Sequence, residues 1–398
     1  MNFDIKNIVV VLAIVLSSCA STRKGQVAAP KQSQLPVSSS GGVLVFQDGK
    51  SLKAVDMDTG ATSVLRDSFL QGRFPDNNGG WRLSPDGASL AFTATPEDIE
   101  FFSVAAYRDY LFTAPFNGRQ QVLLAAYGLH RPKRPYSFRA PSYSADSKRI
   151  VVSQAETGDY PEPSEIAIYD IKTRREIWSS RELPVSRLFK PRPYSYASLF
   201  SPSLSPDGND VVCFAQEMPS DGTAPEIWAE SRQKAPPIRL VHFDLKRKSA
   251  EVLAVIEDQL SVGRRHMTDK QNSDVEPGVR QLKPHFAWHP TQKKFIFVGP
   301  SAPEHRANNL FSFDLRTHKM ARFSDGDHDD CWPQWSLDGK SVVWLRDYLI
   351  FRADADGSKP THILTQIAGM TQIQLLPQIA DWGRYRKLSI KALAGKDK

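Results

Sequence analysis

The sequence predicts an all-β, six-bladed β-propeller of four-stranded antiparallel blades, with the first blade closed by a C-terminal inner strand. Three observations predict it. A short hairpin built on Ser-x-Asp-Gly recurs along the chain, a second hairpin follows each copy, and the first copy lacks a strand that the C-terminal end can supply. With 398 residues, 40% hydrophobic and 24% charged, the chain is long enough for more than one domain, but all-β repeat folds of this length also run as one. The formal net charge is +7, and it stays there without the first eighteen residues because Asp4 and Lys6 cancel.

The N-terminus stands apart from the repeats. Ile8 to Leu16 is an unbroken apolar run, about half of the roughly 20 residues a spanning helix needs. It reads as a secretion signal over residues 1–18. The run ends Leu16-Ser17-Ser18-Cys19, which resembles the lipobox of bacterial lipoproteins. The resemblance implies lipidation of Cys19, and Ala20 in the next position implies outer-membrane sorting in a Gram-negative cell. Two or more acyl chains anchor stably because each buried methylene contributes about 0.8 kcal/mol. Residues 19–40 are small and polar without periodicity, and read as a flexible tether. Cys213 and Cys331 remain. Export to an oxidising compartment permits a bridge between them, but Cys213 sits in an apolar strand run, where a buried free thiol is the plainer reading.

The first hairpin recurs as RLSPDGASLAFTA (82–94), SYSADSKRIVVSQ (142–154), SLSPDGNDVVCFA (203–215), AWHPTQKKFIFVG (287–299) and QWSLDGKSVVWLR (334–346). In Ser-Pro-Asp-Gly, Pro presets the first turn residue and Gly takes the left-handed position that closes a bulged hairpin. The second hairpins are YLFTAPFNGRQQVLLA, IAIYDIKTRREIW, RLVHFDLKRKSAEVLAV, LFSFDLRTHKMARFS and YLIFRADADGSKPTHILT. Each pair of hairpins makes a meander of strands A (innermost), B, C and D. A lone meander cannot bury both faces, so neighbours must stack on it. Residues 43–66 match strands B, C and D alone, and IQLLPQIADWGRYRKL at the C-terminus supplies the missing A strand. Closing the ring in this way removes open sheet edges. The propeller is thus expected over 41–388, with a basic tail at 389–398.

WSLDGKSVVW and LSPDGASLAF resemble the repeat of the TolB-like β-propellers, and Asp381-Trp382-Gly383 is similar to that family's closing segment. The resemblance covers about residues 41–386. It implies a propeller fold in a periplasmic protein. TolB proteins carry an α/β domain ahead of the propeller; here a short tether and a lipid stand in its place.

Antiparallel order places the A–B and C–D turns on one face of the ring and the B–C and D–A connections on the other. The first set is short. The second holds the long segments TPEDIEFFSVAAYRD, AETGDYPEPSE, AQEMPSDGTAPEIWAESRQKAPP and GPSAPEHRANN. Long loops on one side of a rigid ring are where recognition is expected. Three D–A connections are basic. HRPKRPYSFRAP carries His130, Arg131, Lys133, Arg134 and Arg139; SRLFKPRPYSY carries Arg187, Lys190 and Arg192; a third carries Arg264 and Arg265. Converging at the channel mouth they would focus an anionic partner, and Arg interleaved with Tyr and Phe suits carboxylates, phosphates or sugar rings. The D–A connection before the sixth blade is acidic instead: Asp325, Asp327, His328, Asp329 and Asp330. It fails the EF-hand pattern, which needs Gly at its sixth position and Glu at its twelfth, where this chain has Asp330 and Ser336. Those side chains are weak metal candidates, better suited to capping the entry to strand A or pairing with basic neighbours.

No Gly-x-Ser-x-Gly elbow, HExxH, Walker loop or CxxC pair is present. Of the nine histidines, His285 and His328 fall near the tops of adjacent inner strands. The expectation is a monomeric, non-catalytic, lipid-anchored periplasmic propeller without a cofactor. It would hold an envelope protein or peptide, or an anionic glycan, at the long-loop face, with no nucleic-acid partner. The alternative is a metal-dependent polysaccharide lyase or hydrolase working at the channel mouth.

Overall fold

The computed structural model describes residues 42–48, 51–57, 62–66, 81–94, 110–115, 122–125, 136–157, 161–183, 195–219, 238–256, 285–300, 308–326, 328–347, 349–364 and 370–376. The chain divides into Met1–Pro36, wholly outside those residues, and Val37–Lys398, which holds every strand named below.

Blade 1 contains β1 (Val43–Asp48), β2 (Ser51–Asp56) and β3 (Thr62–Arg66), with β24 (Met370–Leu376) as its inner strand. Blade 2 is β4 (Trp81–Leu83), β5 (Ser89–Ala94), β6 (Tyr110–Pro115) and β7 (Val122–Ala125). Blade 3 is β8 (Tyr136–Tyr143), β9 (Arg149–Thr157), β10 (Pro161–Asp170) and β11 (Arg175–Ser179). Blade 4 is β12 (Ser195–Leu204), β13 (Asp210–Pro219), β14 (Ile238–Asp244) and β15 (Ser249–Ile256). Blade 5 is β16 (Phe286–Trp288), β17 (Lys294–Pro300), β18 (Asn308–Asp314) and β19 (Lys319–Arg322). Blade 6 is β20 (Asp330–Trp335), β21 (Ser341–Arg346), β22 (Leu349–Asp354) and β23 (Thr361–Leu364). A 3-10 turn at Ser180–Glu182 is the only helical element among the described residues, and none of them forms a helix long and apolar enough to cross a membrane.

The B strands read as near-continuous apolar runs because each is buried on both faces, and the period of two sends alternate side chains to opposite neighbours. In β1, Val43 and Val45 pack with Trp81 and Phe92 of blade 2, while Leu44 and Phe46 pack with Val343 and Leu345 of blade 6. In β9, Val151 joins Val211 and Cys213 of blade 4, whereas Ile150 and Val152 join Ala91 and Leu111 of blade 2. Phe214 turns to blade 5, its ring 4.6 Å from that of Phe286. A further cluster runs from Phe214 through Phe297 to Trp335 and Trp344, joining blades 4, 5 and 6. The core therefore lies between the blades and runs round all six of their junctions, which closes the ring. Each fully buried Phe contributes roughly 1.5–3 kcal/mol.

The closing strand is the C-terminal one, as the repeat arithmetic requires, but it lies further upstream. β24 pairs antiparallel with β1, setting Leu376 opposite Val43 and Ile373 opposite Phe46. The expected segment began at Ile373 and continued past Pro377; Asp381-Trp382-Gly383 lies outside the described residues.

The Ser-x-Asp-Gly turns form as their chemistry dictates. In blade 2 the Ser84 hydroxyl donates to Asp86 and accepts from the Ser89 N–H at 2.9 Å, while Gly87 N–H donates to the Ser84 carbonyl at 2.8 Å. The same set recurs at Ser205–Asp207 and Ser336–Asp338. At Ser144–Asp146, Ser147 occupies the left-handed position with φ 58° in place of glycine. In blade 5 the His289 ring replaces the hydroxyl, accepting from the N–H groups of Thr291 (3.2 Å) and Gln292 (3.1 Å).

Two connections expected to be long loops are largely strand. AETGDYPEPSE is the end of β9 and the start of β10, with 158–160 between them. The second half of HRPKRPYSFRAP belongs to β8, so Arg139 stands in a strand opposite Ser153 and not in a loop. Pro141, Pro202 and Pro333 each follow a left-handed residue (Ala140, φ 50°; Ser201, φ 51°; Trp332, φ 56°) at a register shift in the inner strand. A bulge leaves one residue out of the ladder, and there a missing N–H costs nothing. Cys213 and Cys331 are buried, unbridged thiols in different clusters.

Candidate functional site

The face of the A–B turns is closed by the blades themselves. Asp86 N–H donates to the Ser147 hydroxyl at 3.4 Å, tying the turns of blades 2 and 3. Arg149 of blade 3 reaches the Gly208 carbonyl of blade 4 at 3.4 Å, and a Cβ at Gly208 would lie 2.0 Å from its Nη2. Lys293 of blade 5 donates to Asp210 of blade 4 at 2.9 Å. The His289 ring lies so near Gly339 of blade 6 that a Cβ there would sit 2.4 Å from Nε2. The Trp before the turn adds a stitch: Trp335 Nε1 donates to the Ala287 carbonyl at 3.1 Å and Trp288 Nε1 to that of Ser203 at 3.4 Å. That is why Trp recurs there; its indole is apolar enough to fill the junction and carries one donor for the neighbouring strand.

Asp210 is the node of this face. Its buried carboxylate accepts from Lys293 and lies 2.9 Å from His242 Nε2, while His242 Nδ1 is 3.0 Å from Glu251. Burial opposes the charged imidazole, but the hydrogen bonds to Asp210 and Glu251 outweigh it and raise the His242 pKa above 6.5. A histidine raised in the folded state stabilises fully below its unfolded value and loses that contribution as pH climbs through the folded one. In urea melts, the stability difference between wild type and His242→Gln should therefore be constant below about pH 6.5 and shrink above it. A difference independent of pH would disprove this coupling.

On the opposite face the acidic connection is described except for Asp327, which lies outside the described residues. Its described side chains are engaged by protein partners. Asp330, wholly buried, accepts from Arg346 Nε (2.7 Å) and Nη2 (2.8 Å), from Trp344 Nε1 (2.9 Å) and from the Ser324 hydroxyl. Asp329 accepts from Asn308 at 2.6 Å, His328 pairs with Asp347 at 2.7 Å, and the Asp325 carbonyl accepts from Arg346 at 3.2 Å. These bonds clamp the D–A connection to the B–C ends of blades 5 and 6, so both kinds of connection do share one face. Among the described residues no group of three or more His, Cys, Asp and Glu side chains is placed to hold a metal. His130, Arg131, Lys133, Arg134, Arg187, Lys190, Arg192, Arg264, Arg265 and Cys19 lie outside the described residues, and of Arg139 only the backbone is described.

His285 and His328 do not converge. The His285 ring meets Arg82 Nη2, 2.9 Å from Nε2, and Gln334 Nε2 at 3.0 Å. Arg82 belongs to blade 2 and His285 precedes β16 of blade 5, diametrically opposite in the ring, so the guanidinium crosses the channel. Its Cζ lies 5.1 Å from the Trp332 ring centroid, and the His285 and Trp332 rings are 4.8 Å apart. Nearby, Gln374 of β24 accepts from Leu83 N–H at 2.9 Å and donates to its carbonyl at 2.8 Å, locking blade 1 to blade 2. Burial, and then the Arg82 charge, push the His285 pKa well below its usual value, so the ring is neutral. Arg82 is intermediate in exposure. Burial pulls its pKa down to about 9, so it remains charged at neutral pH.

The sequence pattern did not single out Arg82, Gln334 or Trp332. The signal lay in the repeats: two residues before each turn the copies carry Ser142, Ser203 and Ala287, whereas blade 2 carries Arg82 and blade 6 Gln334.

No protein-family model matches the chain, and no curated protein matches it by sequence. Among solved structures it is similar to TolB from Acinetobacter baumannii, at 13% identity over 84% of this chain and 67% of that one, with a TM-score of 0.47. It is similar to a chain of a nidogen/laminin complex at 8% identity over 85% and 100%, TM-score 0.49. It is also similar to the β-propeller domain of the Trilobed protease from Pyrococcus furiosus, at 13% identity over 81% and 80%, TM-score 0.42.

Proposed function

We propose that this chain is a non-catalytic, lipid-anchored propeller of the bacterial cell envelope, tethered through Cys19 in the outer membrane and facing the periplasm. It binds an envelope protein or peptide through its B–C and D–A face. The observation that carries this reading is the asymmetry of the two faces. The A–B face is occupied by hydrogen bonds between its own turns, while the long connections leave from the other, with Arg131, Lys133, Arg134, Lys190 and Arg192 among them. A cationic rim speeds encounter with an acidic partner and makes it salt-sensitive.

Replacing those five residues with Ser should remove at least one partner from envelope pull-downs. An unchanged partner set would overturn the platform reading. Cys19→Ser should move the protein from the membrane to the soluble fraction.

A further inference from the structure

We propose that the channel of the ring holds a binding site for a carboxylate, centred on Arg82 and Trp332. The inference stands on the channel residues alone and does not require the platform reading.

Arg82 Nη1 is buried and has no hydrogen-bond partner, and no ion pair reaches this guanidinium among the described residues. A few ångströms away Trp332 Nε1 is likewise buried without an acceptor. Two orphaned N–H donors in one cluster are unusual, since buried donors are nearly always satisfied. One of them carries a full charge, whose burial unpaired is costly.

The backbone at the same place is strained. Trp332 holds φ 56° at the inner-strand bulge, where blades 3 and 4 place the small residues Ala140 and Ser201. For a bulky side chain that conformation is strained, and bulges of this kind re-aim side chains next to binding sites.

The missing partner is an acceptor with one negative charge. The neighbours are a single guanidinium, an indole N–H, an amide and a neutral imidazole, so the cluster carries one positive charge. A carboxylate supplies two acceptor oxygens and a matching charge in a plane that suits the guanidinium fork. A phosphate dianion would leave charge unbalanced.

The carboxylate has two sources, a free organic acid or a peptide C-terminus, and the test separates them. Full-length mature protein is titrated calorimetrically with glutarate, with N-acetyl-trialanine as free acid and as C-terminal amide, and with inorganic phosphate. Saturable 1:1 binding of glutarate or of the free-acid peptide is expected, with none for the amide. Binding should weaken by about tenfold or more in Arg82→Gln, and by about fivefold in Trp332→Phe. Glutarate binding assigns a free acid, and binding of the peptide acid alone assigns a chain terminus. The ligand-free Arg82→Gln protein should melt no lower than wild type, because it loses an unpaired buried charge. Absence of binding by every carboxylate, binding of phosphate alone, equal affinity in Arg82→Gln, or a lowered melting temperature of that variant would each overturn the site.

Discussion

A chain ended after Gly369 should lose the ring. Without β24, blade 1 keeps three strands and β1 presents an unpaired edge to the channel. Ile373, fully buried between blades 6 and 1, is lost, as are the two hydrogen bonds from Gln374 to Leu83. The apolar term is roughly 1.5–3 kcal/mol and each hydrogen bond about 0.5–1.5 kcal/mol. The ladder to β1 and the packing of Leu44 and Phe46 are disrupted besides. Together these rival the roughly 5–15 kcal/mol that holds a typical domain folded. The expected result is aggregation, or a broad transition in place of a cooperative one. Ile373→Asp should approach the same phenotype in the full chain by burying an unpaired carboxylate. A truncated protein that melts within a few degrees of wild type would show that closure contributes little.

Breaking the Asp330–Arg346 pair should be nearly as severe. Asp330 is fully buried and takes both nitrogens of a fork together with Trp344 Nε1. Asp330→Ala leaves a half-buried guanidinium stacked 5.6 Å from the Trp344 centroid without its anion, which by the behaviour of buried ion pairs costs about 3–5 kcal/mol. Replacing both partners by apolar residues, as in Asp330→Leu with Arg346→Met, should recover most of that loss, since the cost lies in the orphaned charge. Urea midpoints of the two single variants and the double variant decide it. Additive losses would mean that the two residues act independently.

Much of this architecture was written locally. Ser84, Asp86 and Gly87 make their turn with bonds no more than five residues apart, so any copy of that pattern announces a hairpin wherever it occurs. The two-sided apolar runs of β1, β9 and β13 announce strands flanked by others. The missing A strand at one end and the spare one at the other then leave closure as the simplest answer. Where local reading failed, the cause was local as well. Residues 136–141 were expected in a connection and belong to β8, and nothing in a single chain segment shows that a bulge has already released the N–H that Pro141 lacks.

The amino-acid order alone therefore carried the blades, their number, the velcro closure and the separation of the two faces, because each depends on turn chemistry and a period of two. The fate of the charged side chains was settled across the ring. Asp330 looked like one of four equivalent acidic positions until folding buried it against Arg346. Arg82 looked like an ordinary strand cation until it met His285 and Trp332, 203 and 250 residues away by position. Those encounters depend on six blades meeting at one axis, and no window of sequence contains that distance.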